Sequence, residues 1–600
     1  TGAWLQFPSG IKAGTAGLSK ALVRAIRACP ILRGPDEART AKALVVELRP
    51  ELTLCGSQRT EGYRLEIRES GVRLSGTDEA GIFYGLQSLA ALAGRLENGV
   101  IELPEISIED WPDFSHRAIS LDVSRDKVPL MQTLFELVDY MASWKLNQLQ
   151  LYMEHVFAYE GHEEVWGEAS AFTPPEIRTL DRYCRERFIE LVPNQNSLAH
   201  FHRWLKLDRY RPLSEVPEGI IHPFCPDPEP FSLCPTDPRS LELIEELYDQ
   251  LLPNFSSKLV HVGLDEPMDL GWGRSKSECD QLGKPRVFLN YLKAVQLLAH
   301  KHGREMQFWA EWILSYPEHV AELPDDVIAM AWGYEADHPF EAELKLLASA
   351  VSRYYVCPGT SSWNSIAGRT SNAFGNLKRA GCAGFAEGAE GYMITDWGDN
   401  GHWQPLSVSY AGFILGASVA WNSANTPTSD ELATHLDRTI FKDRAGRLGR
   451  IALDLGDAHL AAEVDSVNGS VPFFLIHFAE EPLPHERLPG LTKAGIEACL
   501  LAIDAATDSL AAVDCPRSLE RDEFMWSANL MRLGCKLGLA RLSTSTGRLE
   551  DIVVEERNEL SRALDKLCAV HRELWVQRNR LGGLKDSVGR LERLSRLLRA

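Results

Sequence analysis

At 600 residues the chain exceeds what one hydrophobic core spans, so length suggests three or four domains, fewer where a large barrel is among them. A hydrophobic share of 44% with 15 Trp excludes a disordered chain, and 84 acidic against 63 basic residues, a formal charge of -21, excludes a surface built to track nucleic-acid phosphates. The 12 cysteines form no CxxC pair and no run of 18 apolar residues occurs; buried thiols, no metal cluster and no membrane span are expected, and the start TGAWLQF, which lacks a leader pattern, points to a cytoplasmic location.

In chain order, residues 1–112 read as a small α/β domain. ALVVELR (43–49) alternates as a strand does, and GYRLEIRESGVRLSG (62–76) reads as a hairpin around a glycine turn. TDEAGIFYGLQSLAAL (77–92) changes to helical spacing, with Thr77 or Asp78 as its cap. WPDF (111–114) marks a junction. From 113 to 430 the text repeats as apolar strand, polar loop and amphipathic helix: HRAISLDVS (116–124), NQLQLYM (147–153), FIELVPNQN (188–196), LVHVGLDE (259–266), REMQFWAEW (304–312), DVIAMAWGY (326–334), SRYYVCPG (352–359) and GYMITDWG (391–398). Eight parallel strands with intervening helices close naturally into a (β/α)8 TIM barrel.

Residues 431–600 carry only helical spacing and predict an α-helical domain. Its stripe of Leu560, Leu564, Leu567, Leu574, Leu584, Val588, Leu591 and Leu594 suits either an intrachain bundle or a homodimer. Within it, RNRLGGLKDS (578–587) reads as a turn at the surface or a loop reaching toward the barrel rim, in its own chain or a neighbour.

The strand ends concentrate polar and aromatic residues: Arg117 and Asp122, Glu154 and His155, Asn194 and Asn196, Asp265 and Glu266, Trp309 and Glu311, Trp332 and Tyr334, Trp363, then Asp396, Trp397, Asp399 and His402. Indole faces together with carboxylates on one rim suit a sugar, whose C–H faces stack while its hydroxyls need charged partners. Two adjacent carboxylates after a buried strand are costly inside a core, and belong at its open end. They fit poorly the separated pair of an ordinary glycosidase. They suit a scheme in which Glu266 is the acid/base and Asp265 handles a group of the substrate.

EGYRLEI, GTDEAGIFYGLQSL, HRAISLDVSR and HVGLDE, in this order, resemble the landmarks of the retaining β-N-acetylhexosaminidases of glycoside hydrolase family 20. The resemblance implies a small α/β domain before a (β/α)8 barrel, glycans containing N-acetylhexosamine as partners, and no metal or organic cofactor. It implies exo-acting release of terminal β-GlcNAc or β-GalNAc by substrate-assisted catalysis through an oxazolinium ion. Asp265 would orient the acetamido nitrogen and Glu266 would serve as acid/base. Arg117 would grip outer hydroxyls, His200 or His202 (His202 being preferred), Trp309 and Trp332 would line the pocket, Tyr355 would meet the acetamido oxygen, and Asp396 and Trp397 would share hydroxyl binding and stacking. The chain departs from the family at the seventh strand, YYVCPGTSSW, and at the eighth, TDWGDNGH. A transglycosylase, or a non-catalytic carbohydrate-binding protein on the same barrel, is the alternative.

Overall fold

Burial alternates residue by residue along Tyr63–Arg68, the signature of a strand with one face on a core. In the computed structural model, which describes residues 4–7, 11–13, 18–29, 42–95, 100–223 and 225–599, this strand pairs antiparallel with Gly71–Gly76, as the hairpin pattern predicts. The two belong to a five-stranded sheet completed by Ile106–Asp110, Lys42–Leu48 and Ile11–Ala13. Helix Glu79–Leu92 covers one face, capped by Asp78, whose carboxylate accepts from Gly81 N at 2.7 Å.

The barrel strands are β1 (His116–Asp122), β2 (Gln148–Tyr152), β3 (Glu190–Val192), β4 (Leu259–His261), β5 (Glu305–Trp309), β6 (Ile328–Trp332), β7 (Arg353–Cys357) and β8 (Gly391–Asp396). All neighbours run parallel, and β8 pairs with β1. Between β3 and β4 the ring closes just past the end of β3, where Gln195 N donates to His261 O at 3.0 Å and His261 N to Pro193 O at 2.9 Å. Inside lie Ala118, Tyr152, Val192, Met330 and Met393. A buried amide pair, Gln150 Nε2 to Gln307 Oε1 at 2.7 Å, crosses the lumen. The interior is thus packed, and chemistry is confined to its ends.

Beyond Asn422 the described residues form helices and connecting loops, ending in α1 (Leu519–Leu542), α2 (Val554–Arg578) and α3 (Leu584–Arg599). Leu560, Leu564, Val588, Leu591 and Leu594 are buried within this one chain and Leu567, Leu574 and Leu584 half-buried, so most of the stripe packs in the α2–α3 hairpin and its neighbours. The segment between α2 and α3 is not a plain surface turn. Leu130 N donates to Arg578 O at 2.9 Å, Arg580 N to Val128 O at 2.8 Å, and Arg580 Nη2 to Glu176 at 2.8 Å. Gly583 adopts φ +77°, and a Cβ there would lie 1.8 Å from Asp126 O, so glycine is required where this loop meets the barrel.

Eleven cysteines are free thiols, buried except for Cys55, Cys382 and Cys515; the Cys225 side chain lies outside those described. Among the described residues no helix is long and apolar enough to cross a membrane.

Helix α2 ends in a buried ion triad: Arg578 Nε reaches Glu523 at 2.7 Å and Nη2 reaches Glu520 at 2.8 Å. Arg578→Ala leaves Glu523 buried without its ion pair and Glu520 with Arg517 alone, 3.5 Å away, and is expected to cost about 3–5 kcal/mol. The check is the urea or thermal midpoint of the full chain, against Arg444→Ala at an exposed pair, which should move it little.

Candidate active site

Strand β4 stops at His261, earlier than the sequence pattern suggests, because the backbone turns left-handed: φ is +71° at Gly263, +72° at Leu264 and +47° at Glu266. A Cβ on Gly263 would fall 1.6 Å from Asn196 Oδ1, so only glycine fits, and the same oxygen accepts from Leu264 N at 3.2 Å. Asn196, read from sequence as a rim residue, is therefore a brace for this turn. The turn releases Asp265 and Glu266 from strand alternation, and both line the pocket at the C-terminal mouth.

Asp265 is buried, and His200 Nε2 stands 3.1 Å from its Oδ2 and 3.5 Å from Glu266 Oε2. Burial alone would depress the His200 pKa; the Asp265 charge and the contacts to both carboxylates reverse this and push it up to about 10. His200 is thus an imidazolium at neutral pH. Burial correspondingly raises Asp265, but His200 and Arg125 outweigh it and hold the carboxylate below its ordinary range. Asp265 Oδ1 is buried without a hydrogen-bond partner among the described residues. Glu266 is more open, with 32% of its side chain exposed. Its backbone N–H donates to Glu311 Oε1 at 2.9 Å, and Trp332 Nε1 donates to Glu311 Oε2 at 2.9 Å. Burial and the Asp265 charge push Glu311 up to about 8, so it keeps its proton at neutral pH.

Arg125 supplies the pocket's cation. It lies 3.3 Å from both Asp122 and Glu154, with its guanidinium over the rings of Tyr152 and Trp397. Asp399 stands on the same wall, pushed up to about 6 by burial and by Asp122 and Glu266, against the pull of Arg125. Trp309, Trp332, Tyr334, Trp363 and Trp397 supply the aromatic lining. Trp332 stacks on Tyr334 at 5.0 Å, and Trp397 Nε1 donates to Tyr334 Oη at 2.8 Å. The space enclosed is ≈ 480 Å³, solvent at the mouth included.

Of the expected residues, Asp265, Glu266, Trp309, Trp332 and Trp397 converge here. Four do not. Arg117 lies at the start of β1, the barrel's other end, donating to Lys145 O and Phe114 O at 2.8 Å and pairing with Glu61 at 2.7 Å, where it fastens the N-terminal domain to the barrel. Arg125, beyond the C-terminal end of the same strand, occupies the position expected of it. His202 is half-buried with its ring against those of His222 and Phe231, and desolvation holds its pKa well below the usual value, while His200 two residues earlier takes the site. Tyr355 packs deep in β7 against His116, whose ring lies 5.4 Å away at the start of β1, so its hydroxyl is far from the mouth. Asp396 turns outward from β8, accepting from Thr360, Ser362 and Ser409 at 2.6–2.8 Å; alternation that sends Trp397 into the pocket sends its neighbour away.

Two outcomes check this geometry. Because the folded pKa of His200 is raised from 6.5 to about 10, its contribution to stability is complete below pH 6.5 and is lost as pH climbs through 10. His200→Gln should therefore lie about 3 kcal/mol or more below the wild type at pH 6, with the gap closing toward pH 10 in thermal melts. Arg117→Met should lower the melting midpoint strongly while leaving ligand affinity at the pocket unaltered, which an arginine lining that pocket could not do.

Residues 114–386 match the model of the glycosyl hydrolase family 20 catalytic domain, and residues 2–111 match domain 2 of the same family. The beta-hexosaminidase 1 of Coccidioides posadasii is 25% identical over 309 residues, 45% of this chain and 49% of that protein. The beta-hexosaminidase of Akkermansia muciniphila is 26% identical over 341 residues, 48% of this chain and 66% of that protein. The chain thus spans about half the length of the first and under two thirds of the second. Among solved structures, the chitobiase of Flavobacterium johnsoniae aligns over 99% of this chain and 97% of its own at a TM-score of 0.59 and 16% identity, a likeness of fold. Two matched domains in tandem, on the barrel and sheet described above, place the chain in its family: it belongs to glycosyl hydrolase family 20.

Proposed function

We propose that the chain is an exo-acting, retaining β-N-acetylhexosaminidase that releases terminal non-reducing β-GlcNAc or β-GalNAc from glycans by substrate-assisted catalysis. The observation that carries this reading is Asp265 Oδ1: a buried carboxylate oxygen without a partner among the described residues, on a side chain whose other oxygen is fixed by a cationic histidine. Such an oxygen is preorganised to accept from an N–H. Next to it in sequence, Glu266 is open enough to exchange protons with a leaving group and with water.

In the first step the substrate's acetamido oxygen forms a bond to the anomeric carbon as the glycosidic bond breaks, and the Glu266 carboxyl gives its proton to the departing oxygen. The resulting oxazolinium carries positive charge across C=N–H, and Asp265 Oδ1 accepts from that N–H and offsets the charge. His200 keeps Asp265 ionised throughout. In the second step the Glu266 carboxylate takes a proton from water as its oxygen attacks the anomeric carbon, which opens the oxazolinium and returns the acetamido group. Adjacent carboxylates cannot flank one glycosidic bond at the roughly 5–9 Å of conventional acid and nucleophile pairs, which favours the substrate's own nucleophile. Trp397 offers the stacking floor, and Arg125 with Asp399 the charged partners for outer hydroxyls. The aromatic enclosure suits one terminal sugar better than a chain passing through.

Glu266→Gln should lower kcat/KM by about 10²–10⁴-fold on substrates with poor leaving groups, and less on activated aryl glycosides that need no acid. Asp265→Asn should lose activity on both. Wild-type cleavage of aryl β-glucosides at the rate of the N-acetylglucosaminides would defeat substrate assistance, and early internal fragments from a chitooligosaccharide would defeat the exo reading.

A further inference from the structure

One wall of the pocket is shared between the barrel and the helical region that follows it. From β7 only the Trp363 indole reaches the pocket; Tyr355 is deep in the strand, and the single N–H of Trp363 is already engaged. That N–H donates at 2.8 Å to Oδ1 of Asn468, which lines the pocket from the helical region that follows the last barrel strand. Asn468 sits on the loop between Ala458–Ala462 and Val471–His477, in the left-handed conformation at φ +54° that asparagine tolerates.

The loop is held firmly. Asn468 N donates to Glu335 Oε1 at 2.9 Å, and Arg369 grips both oxygens of Glu335 at 2.9 and 2.6 Å while donating to Ser466 O at 3.1 Å. Ser470 N donates to Asn364 O at 2.9 Å, next to Trp363 in sequence. An indole N–H can only donate, so it fixes the amide with its oxygen toward Trp363. Asn468 Nδ2 is left with two N–H groups that have no partner among the described residues, on a side chain that lines the pocket.

We infer that Asn468 is a specificity-determining residue, through which the C-terminal helical region completes the sugar pocket by donating a hydrogen bond to a ring-substituent oxygen of the bound hexosamine. The inference rests on the hexosaminidase reading above and adds a contact from outside the catalytic domain. The donors complement the carboxylates of the rim: Asp265, Glu266 and Asp399 all accept when ionised, and Asn468 Nδ2 adds to the donors offered by Arg125 and the Trp309 indole N–H.

The test compares wild type, Asn468→Ala and Asn468→Asp, each as the full chain, on 4-nitrophenyl N-acetyl-β-D-glucosaminide and its 3-, 4- and 6-deoxy analogues. Loss of one neutral hydrogen bond should lower kcat/KM of Asn468→Ala on the parent about three- to tenfold. On one deoxy analogue the variant and the wild type should be equal, since the contacted oxygen is gone. Asn468→Asp keeps an acceptor for Trp363 but replaces the donors with lone pairs, so it should lose at least as much while melting near the wild-type temperature. Equal activity of wild type and Asn468→Ala on the parent, or an equal loss on all four substrates, overturns the inference. A wild type inactive on the parent glycoside fails the hexosaminidase reading itself and this contact with it.

Discussion

The contact between His200 Nε2 and Asp265 Oδ2 is the interaction on which the pocket depends. A buried carboxylate survives ionised only beside a compensating charge, and a buried imidazole stays protonated only beside an anion; each holds the other in the form it would otherwise lose. With one oxygen of Asp265 fixed, the other has no partner among the described residues. The same cation lies near Glu154, which in turn pairs with Arg125, so the charges of the first, second and fourth strand ends form one network. Glu311 stands close to the same anions, and desolvation together with the Asp265 charge pushes it to hold a proton.

That network needs the backbone to deliver its members from places where regular strands would not. Three left-handed residues after β4 and a left-handed His200 each sit at the C-terminal mouth. Such conformations cost energy and persist because neighbours over-determine them, here Asn196 against Gly263 and Leu264. The strain is concentrated in loops, while the packed lumen below supplies the rigidity.

This division explains what the sequence could disclose. All eight barrel strands and the hairpin of the first domain were legible because each writes an apolar run or an alternation of period two, and their order implied the closure. The place of Asp265 and Glu266 at the barrel mouth was legible because two adjacent charges after a buried strand are costly in a core and belong at its open end. Assignments failed where a choice between nearby residues depended on direction. Arg117 and Arg125 flank opposite ends of one strand, and only the rule that barrel chemistry sits at C-terminal ends separates them; applied to Arg117, it would have shifted the choice. Asp396 and Trp397 are neighbours on β8, so at most one could face the lumen. His200 and His202 differ only by a turn at φ +60° that no periodicity announces. Asn468 left no local signal at all, since its place in the pocket is created by contacts with Glu335 and Trp363, more than a hundred positions away.

The helical region therefore does more than cover the barrel. Its α2–α3 connection pairs with the segment that follows Arg125: Arg580 bonds to Val128, Gly583 seats on Asp126, and Arg203 bridges Asp126 to Asp586 at the start of α3. On the other side of the mouth, Trp403 Nε1 donates to Ser587 O at 3.1 Å, tying α3 to the loop that carries Asp399. Two of the pocket's charged groups, Arg125 and Asp399, are thus borne on loops whose outer sides are held by one helix, while a third loop of the same region supplies Asn468. A barrel's loops are free to vary because the strands beneath them do not depend on their conformation. Here that freedom is removed from outside the barrel, and loops too irregular to hold a charged pocket by themselves gain fixed positions from helices whose own stability comes from buried leucines and the Arg578 triad.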